Sequence, residues 1–270
     1  MKLSISNIGW ESSVDTQVYQ LMQKYGFCGI EIAPTVWVPE QPYETEQIKK
    51  AEQIAQELKQ NYGFSVSSMQ SIWFGRTEKL FASGEEKSAL LEYTKKAIDY
   101  AAAVDCHNLV FGCPRNRNIL SEWNLSQRQI DAVAISFFQE LGEYAHEKGT
   151  VLAMEANPPI YNTNYINTTK QALELVHKVN SMGFLLNLDL GTMICNEEQI
   201  EILEDEVDYI NHVHISEPGL KAIEKRRLHG ELAELLRRKS YGNFISIEVG
   251  KSSPDELAQM MKYISEVFHD

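Results

Sequence analysis

Basic residues are scarce. The 270-residue chain carries 25 Lys and Arg against 38 Asp and Glu, a formal net charge of −13. That balance argues against extensive contact with a phosphate backbone, so no nucleic-acid partner is expected. Cysteine is scarcer still. Cys28, Cys106, Cys113 and Cys195 are scattered without a C-x-x-C pair, which indicates neither a zinc knuckle nor a disulfide framework. No apolar run is long enough to span a membrane. The opening residues, M-K-L-S-I-S, lack the long apolar region of a signal peptide. A cytoplasmic protein with no membrane partner is expected, its thiols kept reduced. A glycine-rich phosphate turn after an early strand is also missing, which counts against a doubly wound open sheet.

The apolar residues, 43% of the total, are enough for a sizeable core. Their periodicity switches repeatedly between two and 3.6. Strands are predicted over 2–8, 29–32, 64–69, 108–111, 151–154, 184–188, 210–216 and 244–247. Helices are predicted over 14–24, 45–61, 85–104, 126–148, 168–179, 197–205, 228–239 and 254–267. Such alternation makes a parallel sheet. Eight units in one chain, with no linker between halves, match a (β/α)8 TIM barrel, a single α/β domain over 1–270.

Residues 210–218 read I-N-H-V-H-I-S-E-P. Period two places His212 and His214 on one face of a strand that ends at Glu217-Pro218. In a barrel the active site lies at the C-terminal ends of the strands. Those ends carry Glu155, Asp189, His214 and Glu248 on strands five to eight. Three carboxylates and an imidazole gathered in one mouth repel one another without a cation. This oxygen-rich set suits one divalent ion, Mn²⁺, Mg²⁺ or Co²⁺, with Zn²⁺ also acceptable. Asp189 taken alone fits equally well as a helix N-cap, a role for which glutamate is poorly suited.

The segments M-E-A-N-P, N-L-D-L-G-T, H-V-H-I-S-E-P and I-S-I-E-V-G, with G-F-C-G-I-E-I at strand two, resemble the xylose-isomerase-like TIM-barrel superfamily. Sugar isomerases and epimerases, inosose dehydratases and endonuclease IV belong to that group. The resemblance implies that Glu155, Asp189, His214 and Glu248 hold the metal and that Glu155 and Glu248 are also catalytic, moving the proton. Two positions depart from the epimerase branch. Thr192 stands where a second histidine follows the aspartate, and Leu220, beside Lys221, stands where an arginine follows the metal histidine.

The chemistry of such a site is proton transfer next to a carbonyl, through an enediolate. A metal-dependent isomerase or epimerase of a sugar or sugar phosphate is therefore expected. The alternatives are a dehydratase, for which His212 or Glu217 would supply the acid, an endonuclease-IV-like nuclease, and a non-catalytic sugar-binding barrel. The nuclease would need more ligands than Asn7, Glu31 and Gln70 provide. A small-molecule sugar or polyol is the expected partner, with a homo-oligomer left open.

Trp10, Trp37, Trp73 and Trp123 all follow strands one to four. Trp37 and Trp73, with Asn157, Lys221, His212 and Glu217, are candidate substrate contacts; at least two of the tryptophans are expected only to pack loops. Arg115 and Arg117, and Arg226, Arg227 and His229, read mainly as solvated surface charge. Cys113 and Cys195 have no evident base partner and are not read as nucleophiles.

Overall fold

The computed structural model describes residues 1–268. Eight parallel strands close into a barrel in chain order, with β1 pairing β8. They are β1 Lys2–Ser6, β2 Phe27–Ile32, β3 Ser65–Met69, β4 Leu109–Phe111, β5 Leu152–Glu155, β6 Phe184–Asp189, β7 Ile210–Ile215 and β8 Phe244–Ile247. Outside them lie α1 Asp15–Lys24, α2 Pro34–Trp37, α3 Thr45–Tyr62, α4 Gly84–Ala103, α5 Gln127–Glu147, α6 Thr169–Val179, α7 Leu190–Cys195, α8 Arg227–Arg238 and α9 Pro254–Phe268. No helix among the described residues is long and apolar enough to cross a membrane.

The barrel follows from strands that are buried on both faces. Leu3 and Ile5 of β1 join the apolar layer between strands and helices. Ser4 and Ser6 alternate with them and are equally buried. The Gln70 amide donates to the Ser6 hydroxyl at 2.7 Å and to Glu31 Oε1 at 2.8 Å. Glu31 Oε2 lies 2.7 Å from His214 Nε2. Groups from β1, β2, β7 and the end of β3 meet this way only inside the barrel, so its interior near the mouth is polar. Further down, a Cβ at Gly29 would stand 2.5 Å from the Phe244 ring, so only glycine lets that ring fill the space.

Local signals set several helix ends. Ser126 and Thr168 form capping boxes with Gln129 and Gln171. Gly63, at φ +77°, closes α3. The unit after β6 departs from expectation. The helix predicted over 197–205 is instead α7, which begins directly after β6, followed by a short 3-10 turn over Ile200–Leu203. L-G-T-M-I-C shows no amphipathic period because its residues through Met193 are all buried. The helix hides in what reads as the tail of a strand.

Candidate functional site

Parallel pairing aligns the strand ends. Glu155 is in register with Asn187, Asp189 with His214, and His214 with Ser246. His214 Nδ1 lies 2.9 Å from Glu155 Oε1 and 3.3 Å from Glu248 Oε2. One donor atom from each of these three residues falls within 4.8 Å of the others. His214 is wholly buried, Glu155 nearly so, and Glu248 is partly exposed.

The electrostatics explain the cluster. Burial opposes a charge on His214, but Glu31 and Glu248 hold its imidazole well above the usual histidine range. Burial alone would raise Glu31, yet His214 and His212 hold its carboxyl well below the usual carboxylate range. Burial lifts Glu248 to about 7, opposed by His214 and reinforced by the charges of Glu155 and Asp189. One imidazolium therefore serves three carboxylates, and a divalent ion on the Nδ1 side would balance the set better. The donors are two carboxylates and one imidazole nitrogen whose opposite nitrogen donates to a buried carboxylate. That arrangement fits a hard or borderline divalent ion.

Asp189 stands beside this cluster with its oxygens engaged. Oδ1 accepts from the Gly191 amide and the Ser216 hydroxyl; Oδ2 accepts from the Thr192 amide and hydroxyl. It is the N-cap of α7. Burial and the Glu155 charge raise its pKa. Thr192, at the position where the epimerase branch has a histidine, is fully buried, and its hydroxyl oxygen also lies 2.7 Å from the Ala156 carbonyl, so its one proton serves either that carbonyl or Asp189. It locks the strand end.

Glu155 is held from both sides. Asn187 donates to Oε1 and Asn157 to Oε2, each at 2.9 Å. Arg117 is completely buried, which corrects its reading as a solvated surface charge. Its guanidinium donates to the Glu155 and Ile166 carbonyls and to Asn157 Oδ1 at 2.8–3.1 Å. That bond turns the Asn157 amide nitrogen toward Glu155. Burial lowers Arg117 to about 10, still charged at neutral pH. Gly112 completes the pocket wall, since a Cβ there would lie 2.9 Å from Glu155 Oε2.

A 530 Å³ cavity opens over Glu155 and Glu248, within the ~300–1,000 Å³ usual for small-molecule sites. Gln70, Trp73, Phe74, Arg76 and Cys113 line it. Burial pushes the Cys113 thiol up to about 12, which keeps it a poor nucleophile. Trp73 donates to Thr94 Oγ1 at 2.8 Å and packs edge-on against Phe111. Trp37 and Trp123 are partly buried against the core, and Trp10 is buried and bonded to Asp15.

Several candidates lie elsewhere. His212 is buried deeper, 3.2 Å from Glu31, with its pKa lowered by desolvation. Glu217 is buried and takes a two-pronged ion pair from Arg226. Lys221 is exposed and does not line the cavity. Glu31, Asn187, Arg117 and Phe74 were not singled out for these roles. A charge inside F-C-G-I-E-I was a usable signal for Glu31, because a carboxylate in an apolar strand requires a partner.

No curated protein sequence matches the chain significantly. Many solved structures share its fold. A D-psicose 3-epimerase with D-tagatose, from Clostridium cellulolyticum H10, superposes with TM-score 0.80 at 16% identity, covering 100% of both chains. A 3-keto-D-glucoside 4-epimerase from E. coli gives 0.74 at 18%, covering 96% of this chain and 98% of that one. The IolI protein with a bound zinc atom gives 0.72 at 19%, covering 100% of both. The sequence model of the xylose isomerase-like TIM barrel family matches residues 19–267, and the chain belongs to that family.

Proposed function

We propose that this protein is a divalent-metal-dependent sugar epimerase or isomerase. The observation that carries the reading is the approach of Glu155 and Glu248 to within 2.9 and 3.3 Å of His214 Nδ1, in the lining of a cavity of substrate size. Two of the structural neighbours are described as sugar epimerases and a third as holding zinc. Glu155, His214 and Glu248 would hold the ion. Asp189 would join them through one oxygen once the Ser216 or Thr192 hydroxyl turns away. When bound, the ion supplies Lewis acidity at the substrate carbonyl and a neighbouring hydroxyl.

The protein's part is proton transfer and positioning. One glutamate removes the proton from the carbon beside the carbonyl, leaving an enediolate. In an epimerase the other glutamate returns a proton from the opposite face. Asn157 and Asn187 fix the Glu155 carboxylate, and Glu31 fixes the His214 ring so that Nδ1 faces the carboxylates. The dehydratase reading loses its acids, because His212 faces Glu31 and Glu217 is bound by Arg226. The nuclease reading gains no ligand from Gln70, which is committed to Ser6 and Glu31.

The test is exchange of substrate carbon-bound hydrogen with solvent deuterium across a panel of ketoses and aldoses, with and without chelator. We expect exchange that chelator abolishes. Exchange unaffected by complete metal removal would overturn the reading.

A further inference from the structure

Beside the cavity over Glu155 and Glu248 lies a second of similar size, 490 Å³. The two share Phe74, Gly75 and Arg76, so they meet along the loop after β3. The far wall comes from the segment between β2 and α3, with Thr35, Pro39, Pro42 and Tyr43. Phe74 sits at the junction with 70% of its surface exposed. An exposed ring shared by two cavities is a placement that a ligand rationalises better than packing does.

Charge decides what kind of ligand. The cations lining this second cavity are already neutralised. Arg76 pairs with Glu78, and its guanidinium lies 4.6 Å from the centroid of the Tyr93 ring. Lys96 pairs with Glu44 at 3.1 Å. An anionic group would have to compete with both carboxylates. A neutral ring with apolar faces and a hydroxylated edge meets aromatic and proline surfaces without breaking either pair.

We propose that the second cavity is a subsite for a glycosyl group and that the substrate is a glycoside. Its reacting sugar would lie over Glu155 and Glu248, and its second ring would cross Phe74. This rests on the first cavity being the reacting sugar's site, as proposed above.

Calorimetry on the full chain with Mn²⁺ would compare fructose, fructose 6-phosphate and the isomeric glucosyl-fructoses that differ in linkage position. We expect at least one glucosyl-fructose to bind about tenfold more tightly than fructose, a difference of about 1.4 kcal/mol. Thr35→Trp, which fills only the second cavity, should abolish that preference and leave fructose within twofold. Phe74→Ala should bring the ratio toward one. Equal binding of all the sugars, tighter binding of the phosphate, a preference untouched by Thr35→Trp, or no binding by any of them would each overturn the subsite. Deuterium exchange on the same sugars separates the two claims. Exchange without a glycoside preference sinks the subsite alone. A glycoside preference without exchange upholds the subsite and sinks the epimerase chemistry.

Discussion

Strands β5 to β8 bring Glu155, Asp189, His214 and Glu248 to the barrel mouth, whereas β1 to β3 fill the same interior with Ser4, Ser6, Glu31 and Ser67, and Gln70 follows β3. The one carboxylate among the latter, Glu31, is wholly buried and does not line the main cavity; it meets His214. The loops after β3 and β4 supply most of the wall of the main cavity, while β5 and β8 supply its acids. The groups proposed to react thus sit on one half of the barrel, and the other half holds His214 and shapes the space above. A change in the first half should therefore act through the second.

The largest effect is expected on the second half. Glu155→Gln and Glu248→Gln keep volume and an oxygen donor, so metal should still bind, more weakly. Turnover should fall roughly 10²–10⁴-fold, read as deuterium exchange and product formation in metal-loaded protein. Near-wild-type turnover in both would reduce the glutamates to ligands.

Glu31→Gln tests the coupling between the halves. Glu31 touches neither the cavity nor the proposed ion, yet metal affinity should fall about 10–100-fold because the His214 ring loses its carboxylate partner. A competitive chelator titration measures this. Glu31→Ala should in addition lower stability in urea by about 3 kcal/mol, as expected when one member of a buried ion pair is removed. Unchanged affinity in Glu31→Gln would show the two halves to be independent.

Arg117→Met, at the boundary between the halves, removes donors to the Glu155 carbonyl and to Asn157 while keeping bulk. Stability should fall by about 2 kcal/mol. The turnover loss should be smaller than that of Glu155→Gln, because the carboxylate remains and only its orientation loosens. Equal losses would mean that Glu155 depends wholly on this support.

The smallest effect is expected at the wall. Trp73→Phe deletes the bond to Thr94 and keeps most of the edge-on packing. Melting in denaturant should show a loss of about 1 kcal/mol, with metal affinity unchanged. A large change in metal affinity would give the wall a part in the metal site.

The barrel itself was legible from periodicity, since each strand and most helices announce themselves within ten or twenty residues. So was the placement of Glu155, Asp189, His214 and Glu248, because parallel strands of similar length put their C-terminal residues on one rim. The paired role of Asp189, cap or ligand, was visible as an alternative, and the structure shows the cap; α7 was missed because a buried helix has no polar face to betray it. His214, the partner of Glu31 at the candidate site, lies 183 residues away in the chain, and no local pattern carries that distance. Arg117 looked like surface charge because R-N-R-N is polar, and only the close approach of β5 and the segment near Ile166 buries it. Local order dictates backbone path and the face on which a side chain starts. Whether that side chain meets water, a cavity or another charge depends on segments far along the chain, and for Glu31, Arg117 and Phe74 only the closed barrel decides it.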